Sequence, residues 1–214
     1  MRLVRYGGAM SLDGYIAGPS GEYDWIVMDP DLDFSGMLKQ FDTFLIGRKT
    51  FEVMQRMGND AKPTPGIQNI VFSRTLRPID YPHVIVSDDA ERFVTELRAK
   101  PGKDIALYGG GELFRSLLRA GLVDRVEVSL IPVLLGGGIP LLPPPAARAK
   151  LKLRKQRLYE KTGTVGLEYD IVRTRLAFLF WAAKRRGNPS GRVVAMSMKW
   201  PARRRRCCSE NWTA

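Results

Sequence analysis

The sequence predicts an α/β protein with a mostly parallel central sheet, helices on both faces and an antiparallel strand pair at the C-terminal end. Three observations predict it. Short runs rich in β-branched and aromatic residues alternate with amphipathic stretches of about ten to fifteen residues, the pattern of strand-helix-strand units. Several of the short runs are apolar almost throughout, as strands covered on both faces must be. The last two runs, "KLKLRKQRLYE" and "TVGLEYDIV", are joined only by "KTG", too little chain for a parallel crossover.

The elements follow in order. A strand over 2–10 opens the chain, and the glycine-rich "SLDGYIAGPSGEYDW" reads as a loop. Leu32, Leu38 and Phe41 make one apolar face and predict a helix from Asp31 to Phe41. "DTFLIG" is a buried strand ending at Gly47, a helix runs from Lys49 to about Met57, and "PTPG" is a loop. "IQNIVFS" and "HVIVS" are two further strands. "DDAERFVTELRAK" is the clearest helix, because Asp88 or Asp89 can cap it, Phe93 and Leu97 share a face, and "PG" ends it. "DIALYG" is a strand and "GELFRSLLRAG" a helix closed by Gly121. "RVEVSLIPV" alternates as a strand, and "LLGGGIPLLPPP" is a long loop before the closing pair.

Composition limits the possible functions. With 214 residues, 44% of them hydrophobic, the chain can bury a substantial core. The net charge of +12 is unevenly placed: of 34 bases and 22 acids, residues 173–214 hold 11 bases and one acid, leaving 23 and 21 in the body. A nucleic-acid surface is therefore not a property of the fold. It could belong only to the tail, where "ARRRR" stands near Trp200, and arginine runs match many plainer explanations. Cys207 and Cys208 are adjacent in that tail and form no disulfide framework, which fits a reducing, cytoplasmic setting. The opening "MRLVRYGGAM" lacks the apolar core of a signal peptide, and no run approaches the roughly 18 apolar residues of a membrane span. His83 is the only histidine, so a histidine-based metal centre is excluded and no metal is expected. The H-x-E and P-C-x-x-C signature of zinc deaminases is absent.

In parallel sheets ligands bind in the crevice beyond the carboxyl ends of the strands. Three junctions there carry suitable chemistry. At "LIGRKTFE", Gly47 lets the backbone approach a ligand, and Arg48, Lys49 and the Thr50 hydroxyl stand beside the unpaired first amides of a helix. At "LYGGGELF" the same arrangement recurs, with three glycines removing the Cβ atoms that would hold phosphate oxygens away. At "VFSRTL", Ser73 and Arg74 end a strand, and an arginine there suits a phosphate monoester. The G-x-G-x-x-G fingerprint of a standard dinucleotide fold is not met, since Phe114 occupies its third glycine position.

Taken in order, "MSLDGYIA", "DTFLIGRKTFE", "VFSRTL", "LYGGGELFRSLL" and "IPVLLGGGIPLL" resemble the dihydrofolate reductase-like proteins, most closely the reductase domain of bacterial riboflavin biosynthesis and its single-domain relatives. The resemblance covers 2–172 and implies a domain over 1–172 with a central sheet of about eight strands and NADPH lying across its carboxyl edge. It places Gly47, Arg48, Lys49 and Thr50 on cofactor phosphates, and Ser73 and Arg74 on the adenosine 2′-phosphate. Gly109, Gly110, Gly111, Glu112 and Leu113 would wrap the pyrophosphate and nicotinamide side. The loop after the first strand resembles a mobile lid, with Ala9 and Ile16 against the nicotinamide and Asp13 and Trp25 toward substrate. Counting back from "LIGRKT" puts Asp31 where dihydrofolate reductases carry their substrate carboxylate, although a simple acidic helix start reads equally well. The implied activity is hydride transfer from NADPH to a pterin or to a ribosylamino-pyrimidine, in a homodimer. Two other functions are a non-catalytic NADPH-binding module and nucleic-acid binding through the tail. The extension over 173–214 reads as an appended, largely disordered segment.

Overall fold

The computed structural model describes residues 1–56 and 64–173. The calls on Met57, the first residue of "PTPG" and the tail beyond Arg173 lie outside the described residues. Residues 1–173 group as one compact unit.

Eight strands form one sheet in the order β5-β4-β3-β6-β1-β7-β10-β9. These are β1 (Val4–Ser11), β3 (Phe41–Gly47), β4 (Gln68–Phe72), β5 (Ile85–Ser87), β6 (Asp104–Gly109), β7 (Arg125–Ile131), β9 (Lys150–Tyr159) and β10 (Thr164–Val172). The strands from β5 to β7 pair in parallel, so their carboxyl ends share one edge. Only β10 runs the other way in this sheet, pairing antiparallel with both β7 and β9, the latter as the short "KTG" connection requires.

Helices cover both faces. On one side α3 (Ala90–Ala99) and α4 (Gly111–Arg119) bring Val94, Leu97, Phe114 and Leu117 onto Val4, Leu45, Ile105 and Leu107. On the other side Phe51 of α2 (Arg48–Arg56) packs with Phe44, Ile46 and Val71, and the five-residue α1 (Phe34–Leu38) adds Met37 and Leu38. Asp89 caps α3 by accepting from the Arg92 amide at 3.0 Å. Past the end of α4, the Gly121 and Leu122 amides donate to the Leu118 and Leu117 carbonyls at 3.0 and 2.9 Å, the pairing of a Schellman motif.

Two regions differ from the sequence reading. The helix expected over 31–41 is only α1, because Asp33 caps it by accepting from the Gly36 amide at 2.7 Å, and Phe41 belongs to β3, opposite Asp104. The side chain of Phe41 lies under the Arg5 guanidinium, 4.6 Å from the ring centre. The two glycine-rich loops are also not free of structure. Their residues β2 (Tyr15–Ala17) and β8 (Ile139–Pro140) pair as a small antiparallel sheet.

Candidate active site

A cleft of about 1570 Å³ runs over the carboxyl edge of the sheet and across the β1, β7, β10 and β9 face on the α1 side. One edge of it is built from the ends of β3, β4 and β6. Gly47 and the Gly109–Gly110 peptide touch there: a Cβ on Gly47 would lie 3.3 Å from the Gly110 nitrogen and 3.4 Å from the Gly109 oxygen. The N-termini of α2 and α4 therefore converge on one place. The Gly109–Gly110 peptide is cis.

The structure gives each glycine of "YGGGE" a local reason. Gly109 has φ +136°, a conformation side chains rarely adopt. A Cβ on Gly110 would stand 3.1 Å from the Thr50 hydroxyl, and one on Gly111 would meet Pro143 Cδ at 2.6 Å. The first amide bonded within α4 is that of Phe114, to the Gly110 carbonyl at 3.1 Å, and Gly110 has no side chain to cap the amides before it. Those amides of Gly111, Glu112 and Leu113 precede the helical ladder and carry the positive end of its dipole.

All of the cofactor-side residues expected from sequence line this cleft: Ala9, Ile16, Gly47, Arg48, Lys49, Thr50, Ser73, Arg74, Gly109, Gly110, Gly111, Glu112 and Leu113. Their side chains are not equally available. Arg48 is engaged with Glu52 at 2.5 Å, and the Glu112 carboxylate pairs with Arg115, leaving its backbone amide as what it offers. Ser73 is buried, and its hydroxyl accepts from the Thr75 and Leu76 amides at 3.1 and 2.9 Å, so its proton is what it can still donate. Lys49 and Arg74 are exposed and make no ion pair among the described residues.

The substrate-side residues expected from sequence do not line the cleft. Asp13 accepts from the Ser11 hydroxyl at 2.6 Å and from the Leu135 and Gly136 amides at 3.1 and 2.7 Å, tying the two glycine-rich loops together. The Ser11 hydroxyl, then the two amides, outweigh burial and hold its carboxyl below the usual range. Trp25 donates its indole N–H to the Glu22 carbonyl at 3.1 Å, within its own loop. Asp31 is exposed, with its carboxylate 2.8 Å from the Lys161 ammonium.

A different acid stands at the cleft. Asp29 is buried, and it accepts from the Thr162 hydroxyl at 2.9 Å, the Thr162 amide at 3.1 Å and the Asp31 amide at 2.9 Å. Burial pushes its carboxyl up, but the Asp31 and Thr162 hydrogen bonds and the Lys161 charge together hold it below the ordinary value. Its sequence signal was weak, since "MDPDLDF" offers three acids at two-residue spacing. Arg5 was also missed. It is buried in the cleft floor, donating to Glu127 at 2.6 and 2.8 Å and to Gln40 at 2.8 Å.

The layered sheet and its carboxyl-edge cleft define a dihydrofolate reductase-like α/β protein. The chain belongs to the RibD C-terminal domain family, whose model matches residues 2–165. It is similar to YyaP, an uncharacterised protein of Bacillus subtilis strain 168, with 38% identity over 171 residues that cover 75% of this chain and 90% of the relative. Among solved structures, one is a protein of Shewanella sp. PV-4 provisionally assigned to riboflavin biosynthesis. It shares 24% identity, with a TM-score of 0.69 over 80% of this chain and 99% of that one. Another is the dihydrofolate reductase of Enterococcus faecalis, solved with NADP(H). It shares 19% identity, with a TM-score of 0.60 over 80% of this chain and 97% of that one. These two structures share the fold of this chain. No helix among the described residues is long and apolar enough to cross a membrane, and none of their side chains cluster as a metal site.

Proposed function

We propose that the protein is an NADPH-dependent reductase that reduces a small planar heterocycle bound beside the cofactor in this one cleft. The observation that carries the reading is the contact between the Gly47 and Gly110 corners, which aims two helix N-termini at the same stretch of cleft wall. NADPH fits the residues present. Amides of Gly111 to Leu113 and the Thr50 hydroxyl suit its pyrophosphate, while Arg74 and the Ser73 hydroxyl suit a phosphate monoester further along the edge. The cleft also exceeds the roughly 300–1,000 Å³ of a typical single-ligand pocket, which suits two ligands side by side.

NADPH, when bound, supplies the hydride. The chain supplies placement: the glycine corners hold the phosphates, Ala9 and Ile16 flank the nicotinamide side, and the β1 and β7 face receives the acceptor. Asp29 is a positioning residue in this scheme, because its carboxylate joins the "MDPD" segment to the turn at Thr162. Asp31 is not assigned a catalytic role, since it faces Lys161 and lies off the cleft lining. A cytoplasmic homodimer belongs to the same proposal. It is favoured by Leu151, Leu153 and Leu158, which stand exposed on one face of the edge strand β9.

The test is calorimetric titration of the full chain with NADPH and NADH, before and after Arg74→Ala. NADPH is expected to bind more tightly, with the substitution shrinking the difference by about tenfold, the size of one charge-assisted contact to phosphate. Equal affinities in the parent protein would remove Arg74 from the cofactor site, and no binding of either nucleotide would remove the reading itself.

A further inference from the structure

We infer that the acceptor ring lies flat on the bare backbone of Gly7 in β1, with a polar atom on its edge accepting a hydrogen bond from the Tyr108 hydroxyl. These two residues then set which ring the cleft takes and how it is turned. The inference rests on the reductase reading and deepens it by locating the substrate.

Gly7 stands inside β1 and lines the cleft. Alternation sends its neighbour Tyr6 into the core on the α3 and α4 side, so the open side of Gly7 is the cleft side. Nothing in the protein requires a glycine there. Its backbone is ordinary extended strand, and an added Cβ would meet only the Glu127 carbonyl oxygen at 3.6 Å, a normal contact. The corner glycines differ, since a Cβ on Gly47, Gly110 or Gly111 would come within 3.3 Å of a neighbour. Glycine inside a strand weakens it, because a flexible backbone is ordered and no side chain packs. A strand glycine that the fold does not need marks a place where a ligand approaches the backbone.

Tyr108 borders that place. β1 and β6 pair in parallel up to Tyr6 opposite Leu107, so Gly7 and Tyr108 are the next residues of adjacent strands, about 4.8 Å apart at the usual spacing. The pairing of β6 with β3 shifts at this point: Leu45 faces Leu107 and Ile46 faces Gly109, which leaves Tyr108 as the extra residue of a bulge. Bulges re-aim a side chain and recur beside active sites. Here the ring stacks on Phe44 with centroids 5.5 Å apart and a 16° tilt, which fixes its plane, yet Tyr108 is 45% exposed and lines the cleft. Among the described residues its hydroxyl has no hydrogen-bond partner. The phenol adjoins Gly109, so it stands at the corner proposed for the cofactor, on the strand between β3 and β1.

On the other side of Gly7, β7 places Glu127 opposite it, with its two carboxylate oxygens held by Arg5 at 2.6 and 2.8 Å. Gly7 is therefore a gap one strand wide between two polar side chains. From β6 to β7 it spans two strand spacings, about 9.6 Å. A flat ring resting on the sheet uses that gap. Its edges then meet a hydrogen-bond donor at Tyr108 and a carboxylate with unused lone pairs at Glu127. The arrangement selects a planar heterocycle with a carbonyl oxygen or ring nitrogen on one edge and an N–H on the other.

The experiment titrates lumazine, a fluorescent pteridinedione, into the full chain in excess NADP⁺, and separately titrates NADPH alone by calorimetry. Gly7→Ala is expected to keep or raise the urea midpoint, because its methyl group enters open space, and to leave NADPH affinity within about twofold. The same methyl group occupies the resting place of the ring, and lumazine is expected to bind about tenfold more weakly. Tyr108→Phe keeps the stack on Phe44 and is expected to weaken lumazine about fivefold, the size of one neutral hydrogen bond. Lumazine that fails to bind the parent, or that binds either variant as tightly as the parent, overturns the inference. A lowered urea midpoint in Gly7→Ala also overturns it, by giving the glycine a packing role. Failure of NADPH to bind the parent counts against the reductase reading, whereas the seat at Gly7 is judged by lumazine.

Discussion

Within "MDPDLDF" three carboxylates at two-residue spacing have three different fates. Asp29 is buried and clamps the loop to Thr162, Asp31 is exposed beside Lys161, and Asp33 caps α1. Their chemistry is identical, so sequence could not rank them. Counting back from Gly47 assumes an unbroken helix, whereas the real segment before Phe34 is irregular and turns Asp31 outward. The depressed Asp29 value has a consequence for acid stability. A carboxyl held below its ordinary value of 3.8 contributes stability that is complete above that value and is lost as pH falls through the folded one. Urea midpoints of the parent and Asp29→Asn are thus expected to differ by a constant amount from about pH 7 to about pH 4 and to converge below it. A gap that persists unchanged into strong acid would mean the carboxylate charge is not what holds the loop.

Element by element, the parallel strands and their following helices were readable because hydrophobic period and glycine punctuation are local signals. Strands β2 and β8 were not. Three and two residues long, they exist only because Tyr15 and Ala17 meet Pro140 and Ile139 from a distant loop. The β6 to α4 corner shows the same division. Three consecutive glycines announced a close approach, but the neighbours that impose it include Thr50 and Pro143, which are remote in sequence. Gly111→Ala is expected to destabilise the fold by about 1–3 kcal/mol, because its methyl group would displace the Pro143 ring or the start of α4. Gly137→Ala is the matched control: nothing lies within 4 Å of its added Cβ. Its denaturation curve should stay within about 0.5 kcal/mol of the parent. Equal effects at the two positions would show that Gly111 is not set by packing.

At the scale of the molecule, the described residues that line the cleft belong to the unit that ends at Arg173. The compact unit ends at Arg173, whose guanidinium reaches Asp124 at 2.5 Å. Deleting 174–214 is therefore expected to leave NADPH affinity within about twofold of the full chain. Any retention on DNA at low salt should disappear with the 10 bases removed. A loss of cofactor binding in the shortened chain would bring the tail into the working protein.

What the sequence determined by itself was the order of the main strands and helices and the glycine corners where backbone comes close to backbone. Both are written in neighbouring residues: alternation decides which way a side chain faces, and glycine before a helix leaves amides open. Only the tertiary structure decided which of the three acids is buried at the cleft, which partners its charged side chains find, and which apolar residues are left uncovered. Those depend on strands far apart in the chain becoming neighbours, and no local pattern encodes a distance between Arg5 and Glu127 or between Asp29 and Thr162.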